Sequence, residues 1–324
     1  MNVSSGGRDF DVCFITATWR GDLDRFALLR ESLQAFGHGS VPHYALVNTE
    51  DENLLRELRL PGVIPVTTAQ LLAPEVEVGR RRYLEARGGR RWKTFQRSLY
   101  KRLGWFPDVR YYGWHVQQLA KLEAVVKLPH EVFICFDSDN VITGRFPLGR
   151  FFSDGKVALY ERRQDLPAGR KPMDWYVNAC RLLNLPAPTD HQIDYVNQPV
   201  VFEKRAMQAM LDWLTRHHGR PWYESLLAQR LGGWSEFTIY GTFVRHHLGM
   251  EGVFPLLTNS ENLWIYTEEE RRNAAELIRR AFSDPAIKLL VLQADDHGHW
   301  PLSRFLPVLR EHLGKAAARQ PPGA

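Results

Sequence analysis

Glu131-Val132-Phe133-Ile134-Cys135-Phe136-Asp137-Ser138-Asp139-Asn140 decides the fold: six residues of strand character run without a break into two acids separated by a serine. A short continuous apolar run ending in a polar cluster reads as a strand buried on both faces, as in a parallel sheet covered by helices. Asp137 and Asp139 stand at its end with one side chain between them. Two carboxylates so close repel each other and lose hydration unless a cation neutralises them. Oxygen ligands favour Mg²⁺ or Mn²⁺, which keep waters and take further oxygens from phosphates. Such an ion offsets the charge that develops on a departing nucleoside diphosphate. Asp-Ser-Asp-Asn is also good turn chemistry, so the motif is weak when taken alone.

The surroundings strengthen it. Asp11 to Thr18 reads as a buried strand, followed by a polar loop (Trp19 to Asp24) and an amphipathic helix around Phe26 to Phe36. His43 to Asn48 is a second strand ending in Asn48-Thr49-Glu50-Asp51, Asp51 to Leu58 suits a helix, and Gly62 to Val66 suits a third strand. The alternation predicts an α/β fold: one domain with a mostly parallel central sheet flanked by helices, with helical additions. Ligands of such sheets sit beyond the carboxyl ends of the strands, where Thr16 to Asp24 and Asn48 to Asp51 fall. Tyr111 to Val126 is expected to be helical, with His115, Gln118 and Lys121 on its polar face.

Beyond the aspartates, Val157 to Tyr160 reads as a strand and Glu161 to Pro172 as a mobile loop. Helices are expected near Trp175–Leu183, Lys204–His217, Ser235–His247 and Glu268–Phe282. A late strand, Ala286 to Gln293, leads into Ala294-Asp295-Asp296-His297-Gly298-His299. Residues 1–10 are expected to be flexible and 314–324, rich in Ala, Pro and Gly, to be a disordered tail.

The bulk numbers suit a globular chain: 324 residues, 44% hydrophobic and 24% charged. No run of eighteen apolar residues predicts a membrane span, and the polar start lacks the apolar core of a secretory signal. Cys13, Cys135 and Cys180 are far apart; the odd count without metal spacing points to a reducing compartment, so a cytoplasmic location is expected. Between Arg80 and Arg102 there are ten Lys or Arg and one acid, Glu85, interleaved with Tyr83, Trp92, Phe95 and Tyr100. This basic helical insertion, 79–105, reads as a solvated face or as a segment that meets anionic lipid, nucleic acid or a nucleotide diphosphate; its aromatic residues favour an interfacial helix resting on an anionic membrane at the inner surface. Nothing resembles a base-reading module, so no nucleic acid is expected.

Three further groups bear chemistry. His297 or His299, or the adjacent Asp295 or Asp296, can complete a metal sphere begun by Asp137 and Asp139; the same run also suits a polar loop over a sheet edge. Ser235 is a good N-cap, which puts Glu236 in a first helical turn beside glycines. Glu236 there can be a general base for an acceptor hydroxyl, or simply complement the helix dipole. Trp114, Trp175, Trp222, Trp234 and Trp264 can stack on sugars or pack, and Asn197-Gln198-Pro199 can bind hydroxyls or form a strand-entry turn.

The order of these segments carries a resemblance. It comprises the Phe-Ile-Thr-Ala-Thr strand, Tyr112-Gly113-Trp114-His115-Val116-Gln117-Gln118-Leu119-Ala120-Lys121, the strand into Asp137-Ser138-Asp139, Asn197-Gln198-Pro199-Val200-Val201-Phe202, and Ser235-Glu236-Phe237-Thr238-Ile239-Tyr240-Gly241. From about Asp11 to His299 the chain resembles bacterial glycosyltransferase-like proteins of the nucleotide-diphospho-sugar transferase superfamily, with the GT-A fold. Within it the chain is most similar to an uncharacterised group associated with surface polysaccharide. The resemblance implies a metal-dependent glycosyltransferase that moves a sugar from a nucleoside diphospho-sugar to a hydroxyl of a glycan or lipid-linked acceptor. Residues 11–145 would be the nucleotide-sugar half and 146–313 the acceptor half with the late metal-ligand segment.

By the same resemblance Thr16, Thr18 and Arg20 would face the nucleotide, and Asn48 and Glu50 the base or ribose. Gln118 and Lys121 would line the site, and Asp137, Ser138 and Asp139 would hold metal and diphosphate. His297 or His299 would be the late metal ligand, and Glu236 the acceptor-side base. Glu236 is followed by Phe237, a departure from the usual pair of acids.

Three other readings remain. Phe133 to Val141, with Leu289 to Asp296, fits a haloacid-dehalogenase-type phosphatase whose nucleophile is Asp137, general acid Asp139 and Mg²⁺ ligands Asp295 and Asp296. That fold expects its nucleophile strand early, whereas two or three strand–helix units precede Asp137. Nucleotidyl transfer would need a Gly-rich basic loop after the first strand, and none is present. A non-catalytic nucleotide- or glycan-binding protein would keep ligand binding after Asp137→Ala and Glu236→Ala.

Overall fold

A computed structural model describes residues 1–86, 90–103, 106–164, 171–188, 192–257, 261–292 and 302–318. Its central sheet has six strands: β1 (Asn2–Ser5), β2 (Arg8–Ala17), β3 (His43–Val47), β4 (Val63–Thr67), β5 (Val132–Cys135) and β6 (Val200–Glu203). The order is β6-β5-β2-β3-β4, with β1 as a hairpin partner of β2. β5, β2, β3 and β4 are parallel, in register Ile15↔Cys135 and Ile15↔Tyr44, and β6 runs antiparallel to β5. This is the expected α/β architecture, a mostly parallel sheet flanked by helices.

The period of two in a strand divides the core between the two faces. Cys13, Ile15, Phe133 and Cys135 pack with Leu119 and Leu122 of the helix Gly113–Lys127. Val12, Phe14, Ile134 and Phe136 pack with Phe26, Leu29 and Leu33 of the helix Leu23–Ala35. The three cysteines are free and buried, so they act as small apolar side chains.

The chain winds from β2 to β3 to β4 on one side, then crosses the other face and lays β5 on the far side of β2. Strand order therefore reverses between β2 and β5, and a crevice opens beyond their carboxyl ends. Asp137 lies at that point. Asn140–Ile142 immediately enters a second sheet, antiparallel to Leu289–Val291, which in turn is parallel to Asn262–Trp264. This ties the late chain to the aspartate turn, since the Leu292 amide donates to the Asp139 carbonyl at 2.9 Å.

Several expectations are corrected. Residues 1–10 are not a loose arm, because β1 pairs with β2 from Asn2↔Asp11 to Ser5↔Arg8. Of the loop Glu161–Pro172, Arg162–Gln164 is a strand paired with Gln192–Asp194, Lys171 starts the helix Lys171–Leu182, and 165–170 lie outside the described residues. The helix expected over Glu268–Phe282 is two, Glu268–Arg272 and Ala274–Ser283. Positions 314–318 are not disordered, as the helix Leu306–Ala318 continues through them; 319–324 lie outside the described residues. The basic insertion is a pair of helices, Pro74–Glu85 and Arg90–Leu103. Among the described residues no helix is long and apolar enough to cross a membrane.

Candidate functional site

The helix Gly113–Lys127 reaches the crevice with Gln118 and Lys121, three residues apart and so on one face. Lys121 Nζ donates to Asp137 Oδ1 at 2.8 Å and to Glu236 Oε1 at 2.9 Å, and it lies 4.7 Å from the centre of the Phe237 ring. Gln118 Oε1 accepts the Glu236 backbone N–H at 3.0 Å. One helix thus holds both the main chain and the carboxylate of Glu236, the first residue of the helix Glu236–His246. That helix seats closely because Gly241 faces Tyr195, whose ring would lie 2.1 Å from an added Cβ.

Burial divides the three charged groups. The side chains of Lys121 and Glu236 are 8% and 4% exposed, whereas Asp137 is 41% exposed and faces the cleft. Burial alone would push the Lys121 ammonium toward neutrality, but the charges of Asp137 and Glu236 override it and hold its pKa well above the ordinary range. Lys121 is therefore a fixed cation beneath the aspartate.

Gln198 supplies the other side of the clamp. Its Nε2 donates to Asp137 Oδ2 at 2.6 Å while its Oε1 accepts the Asp137 amide at 3.1 Å. Asn262 fixes this segment, donating to the Gln198 carbonyl at 2.6 Å and to Asn197 Oδ1 at 3.0 Å. Gln198-Pro199 is a cis peptide.

These groups line a cleft of about 300 Å³ that also takes in Ser138 and Asp139. Half-buried Trp114, Trp175 and Trp264 form part of its wall, with Trp114 and Trp175 stacked at 6.1 Å. Flat aromatic faces beside polar groups suit a sugar ring or a base. Trp222 and Trp234 are buried and pack in the core.

The structure therefore brings together Gln118, Lys121, Asp137, Ser138, Asp139 and Glu236. Thr16, Thr18, Arg20, Asn48 and Glu50 are placed outside this cleft. Thr16 is fully buried, its hydroxyl 2.9 Å from His43 Nε2 between β2 and β3. Thr18 is also buried. Arg20 pairs with Asp51 at 2.6 Å, and Asn48 donates to Asp51 at 3.1 Å. Glu50 is held by both terminal nitrogens of Arg80 at 2.7 Å, and Arg80 also binds Glu77. Burial raises the Glu77 carboxyl, but Arg80 outweighs it and pushes the pKa down to about 2. Arg20, Asn48 and Glu50 thus belong to a neighbouring ion network at the ends of β2 and β3. Ala17 and Asp22 are what the first strand and its loop contribute to the cleft.

Asp137 and Asp139 would be the oxygen donors to a divalent ion here. Both Asp137 oxygens already accept a hydrogen bond, which leaves each one lone pair. Among the described residues no group of three or more His, Cys, Asp or Glu is clustered for a metal. This pair alone fits Mg²⁺-like ions, which use one or two carboxylates and complete their sphere with water and phosphate. His297 and His299, with Asp295 and Asp296, lie outside the described residues.

No curated protein sequence matches the chain. Among solved structures, the apo structure of the bifunctional glycosyltransferase WbbM is similar at a TM-score of 0.41 and 12% identity, over 96% of this chain and 52% of that one. The chain thus spans about half the length of that protein. A family model described as "Family of unknown function (DUF6492)" matches residues 12–284, most of the chain, and the protein belongs to that family.

Proposed function

We propose that the protein is a glycosyltransferase that takes a nucleoside diphospho-sugar into the cleft at the end of β5 and passes the sugar to an acceptor hydroxyl. The observation that carries this reading is the Lys121 bridge between half-exposed Asp137 and buried Glu236 at the strand-order reversal, under three tryptophans. Asp137 and Asp139 would hold Mn²⁺ or Mg²⁺, and together with Ser138 they bind the diphosphate side. When bound, the ion supplies charge compensation for the leaving diphosphate. Gln118, Lys121 and Gln198 hold the acids in place, and Trp114, Trp175 and Trp264 stack on the sugars.

Glu236 is the base on the acceptor side. It takes the proton of the acceptor hydroxyl as the new glycosidic C–O bond forms, and the nucleoside diphosphate leaves with the electrons of the broken anomeric C–O bond. Lys121 holds one carboxylate oxygen of Glu236, and the second, 3.5 Å from Ser235 Oγ, is the one left to accept the proton.

The acceptor is a glycan or a lipid-linked glycan met at an anionic membrane on the cytoplasmic side. The helices of the basic insertion support this: Leu84, Trp92, Phe95 and Leu103 are all at least 40% exposed, and Arg81, Arg82 and Arg102 flank them. Exposed apolar side chains with cations close by in sequence suit a peripheral membrane contact.

The test is release of nucleoside diphosphate from a panel of nucleotide sugars with Mn²⁺, in the presence of oligosaccharide or lipid-linked acceptors. Turnover that falls at least 100-fold in Glu236→Gln is expected. Hydrolysis of a generic aryl phosphate that disappears in Asp137→Asn would contradict the proposal and identify a phosphatase.

A further inference from the structure

A second cavity lies at the other end of the sheet. The helix Leu23–Ala35 begins beyond the carboxyl end of β2 and runs back over 13 residues. Its last turn therefore sits roughly 20 Å from the cleft, at 1.5 Å per residue. There Phe36, Phe146, Leu148 and Phe282 surround a space of about 950 Å³, at the upper end of the range for small-molecule sites. It shares no lining residue with the Lys121 cleft.

Its charge is one-sided. The lining includes Arg145, Lys315, His38 and His312 and no Asp or Glu. Lys315 is paired with Glu311 at 2.5 Å, whereas Arg145 is exposed and has no ion-pair partner among the described residues. His312 stacks flat on Phe282 at 5.0 Å, giving one wall a continuous aromatic face. His38 is 8% exposed and forms part of the wall.

We propose that this cavity binds one amphiphile, an apolar body carrying a single anionic head, carboxylate or phosphate ester, placed beside Arg145. The apolar walls take the body by burial of its surface. The unpaired guanidinium selects the sign of the head and binds either oxyanion in a forked geometry.

The proposal is tested by calorimetric titration with dodecanoate and dodecyl phosphate, against dodecyltrimethylammonium and dodecyl maltoside, all below their critical micelle concentrations. Two variants accompany the full-length protein, Arg145→Glu and Gly149→Trp. Gly149 lines the cavity and an added Cβ meets nothing within 4 Å, so a large side chain is accommodated there and places bulk at the cavity wall. Saturable one-to-one binding of the anions is expected, at least tenfold weaker in each variant, with the cationic and neutral chains at least tenfold weaker than the anions. The stronger of the two anions identifies carboxylate or phosphate as the natural head. Binding is unchanged in Asp137→Ala, which separates this site from the cleft. Equal affinity for all four chains, no saturable binding, or affinity unaffected by both cavity variants would overturn the proposal.

Discussion

Lys121 Nζ lies 2.9 Å from Glu236 Oε1, and both side chains are withdrawn from solvent. The residues are 115 positions apart, so the contact ties the helix Gly113–Lys127 to the helix Glu236–His246 across the mouth of the sheet. Removing one partner of a buried pair leaves an uncompensated charge, which costs about 3–5 kcal/mol. Lys121→Met is expected to lose stability on that scale in urea unfolding. Lys121→Met/Glu236→Gln should recover much of it, because the orphaned charge is gone. A double-variant loss equal to the sum of the losses in Lys121→Met and Glu236→Gln would mean that the pair is not coupled.

Gln198 orients Asp137 through both ends of its amide. Partners that orient a ligating carboxylate typically contribute 10- to 100-fold in affinity. Gln198→Ala is therefore expected to weaken Mn²⁺-dependent nucleoside diphosphate binding by about tenfold while leaving the unfolding free energy in urea within about 1 kcal/mol of wild type. Titration calorimetry reads the first effect and denaturation the second. Unchanged affinity would remove Gln198 from the site.

Two histidines make stability acid-sensitive. Burial pushes His43 down to about 3 and His115 down to about 4, below the usual value near 6.5. The unfolded chain therefore binds more protons than the native one between pH 6.5 and 4, so stability falls as the pH falls through that window. At pH 5 each contributes a loss of about 2 kcal/mol relative to neutral pH. Glu77, with its pKa lowered to about 2, adds a further loss only below about pH 4.5. Urea midpoints measured from pH 7 to 4.5 should decline, and His43→Gln should flatten the decline.

The basic insertion predicts vesicle binding. Trp92 and Phe95 stack on one another at 5.4 Å while 40% and 49% exposed. Trp92→Ser/Phe95→Ser should lower co-sedimentation with phosphatidylglycerol vesicles about fivefold or more, and 0.5 M salt should lower it independently. Equal binding to phosphatidylcholine vesicles would show that the charge plays no part.

Much of this arrangement was legible in the residues. The continuous apolar runs around Phe14, Ala45 and Ile134 announce strands buried on both faces, and the three lie side by side in the sheet. Asp137 was found because it follows such a run directly. The function of Gln198 was hidden, since its partner is 61 positions away and no local period records the contact. Arg80 misled in the opposite sense. It opens a run of charge that reads as a solvated face, yet it is 2% exposed and captures Glu50 and Glu77. That ion network is why Arg20, Asn48 and Glu50, placed at strand ends as expected, are engaged with protein partners beside the cleft.

The central claim is that Asp137 and Asp139 form a metal–diphosphate clamp. Thermal unfolding of wild type and Asp137→Ala/Asp139→Ala with a panel of nucleoside diphosphates, each with and without Mn²⁺, tests it most directly. The account predicts that at least one nucleotide raises the Tm of wild type in a concentration-dependent way, only with Mn²⁺, and that the double variant does not respond. No shift with any nucleotide, or the same shift in the double variant, would contradict it.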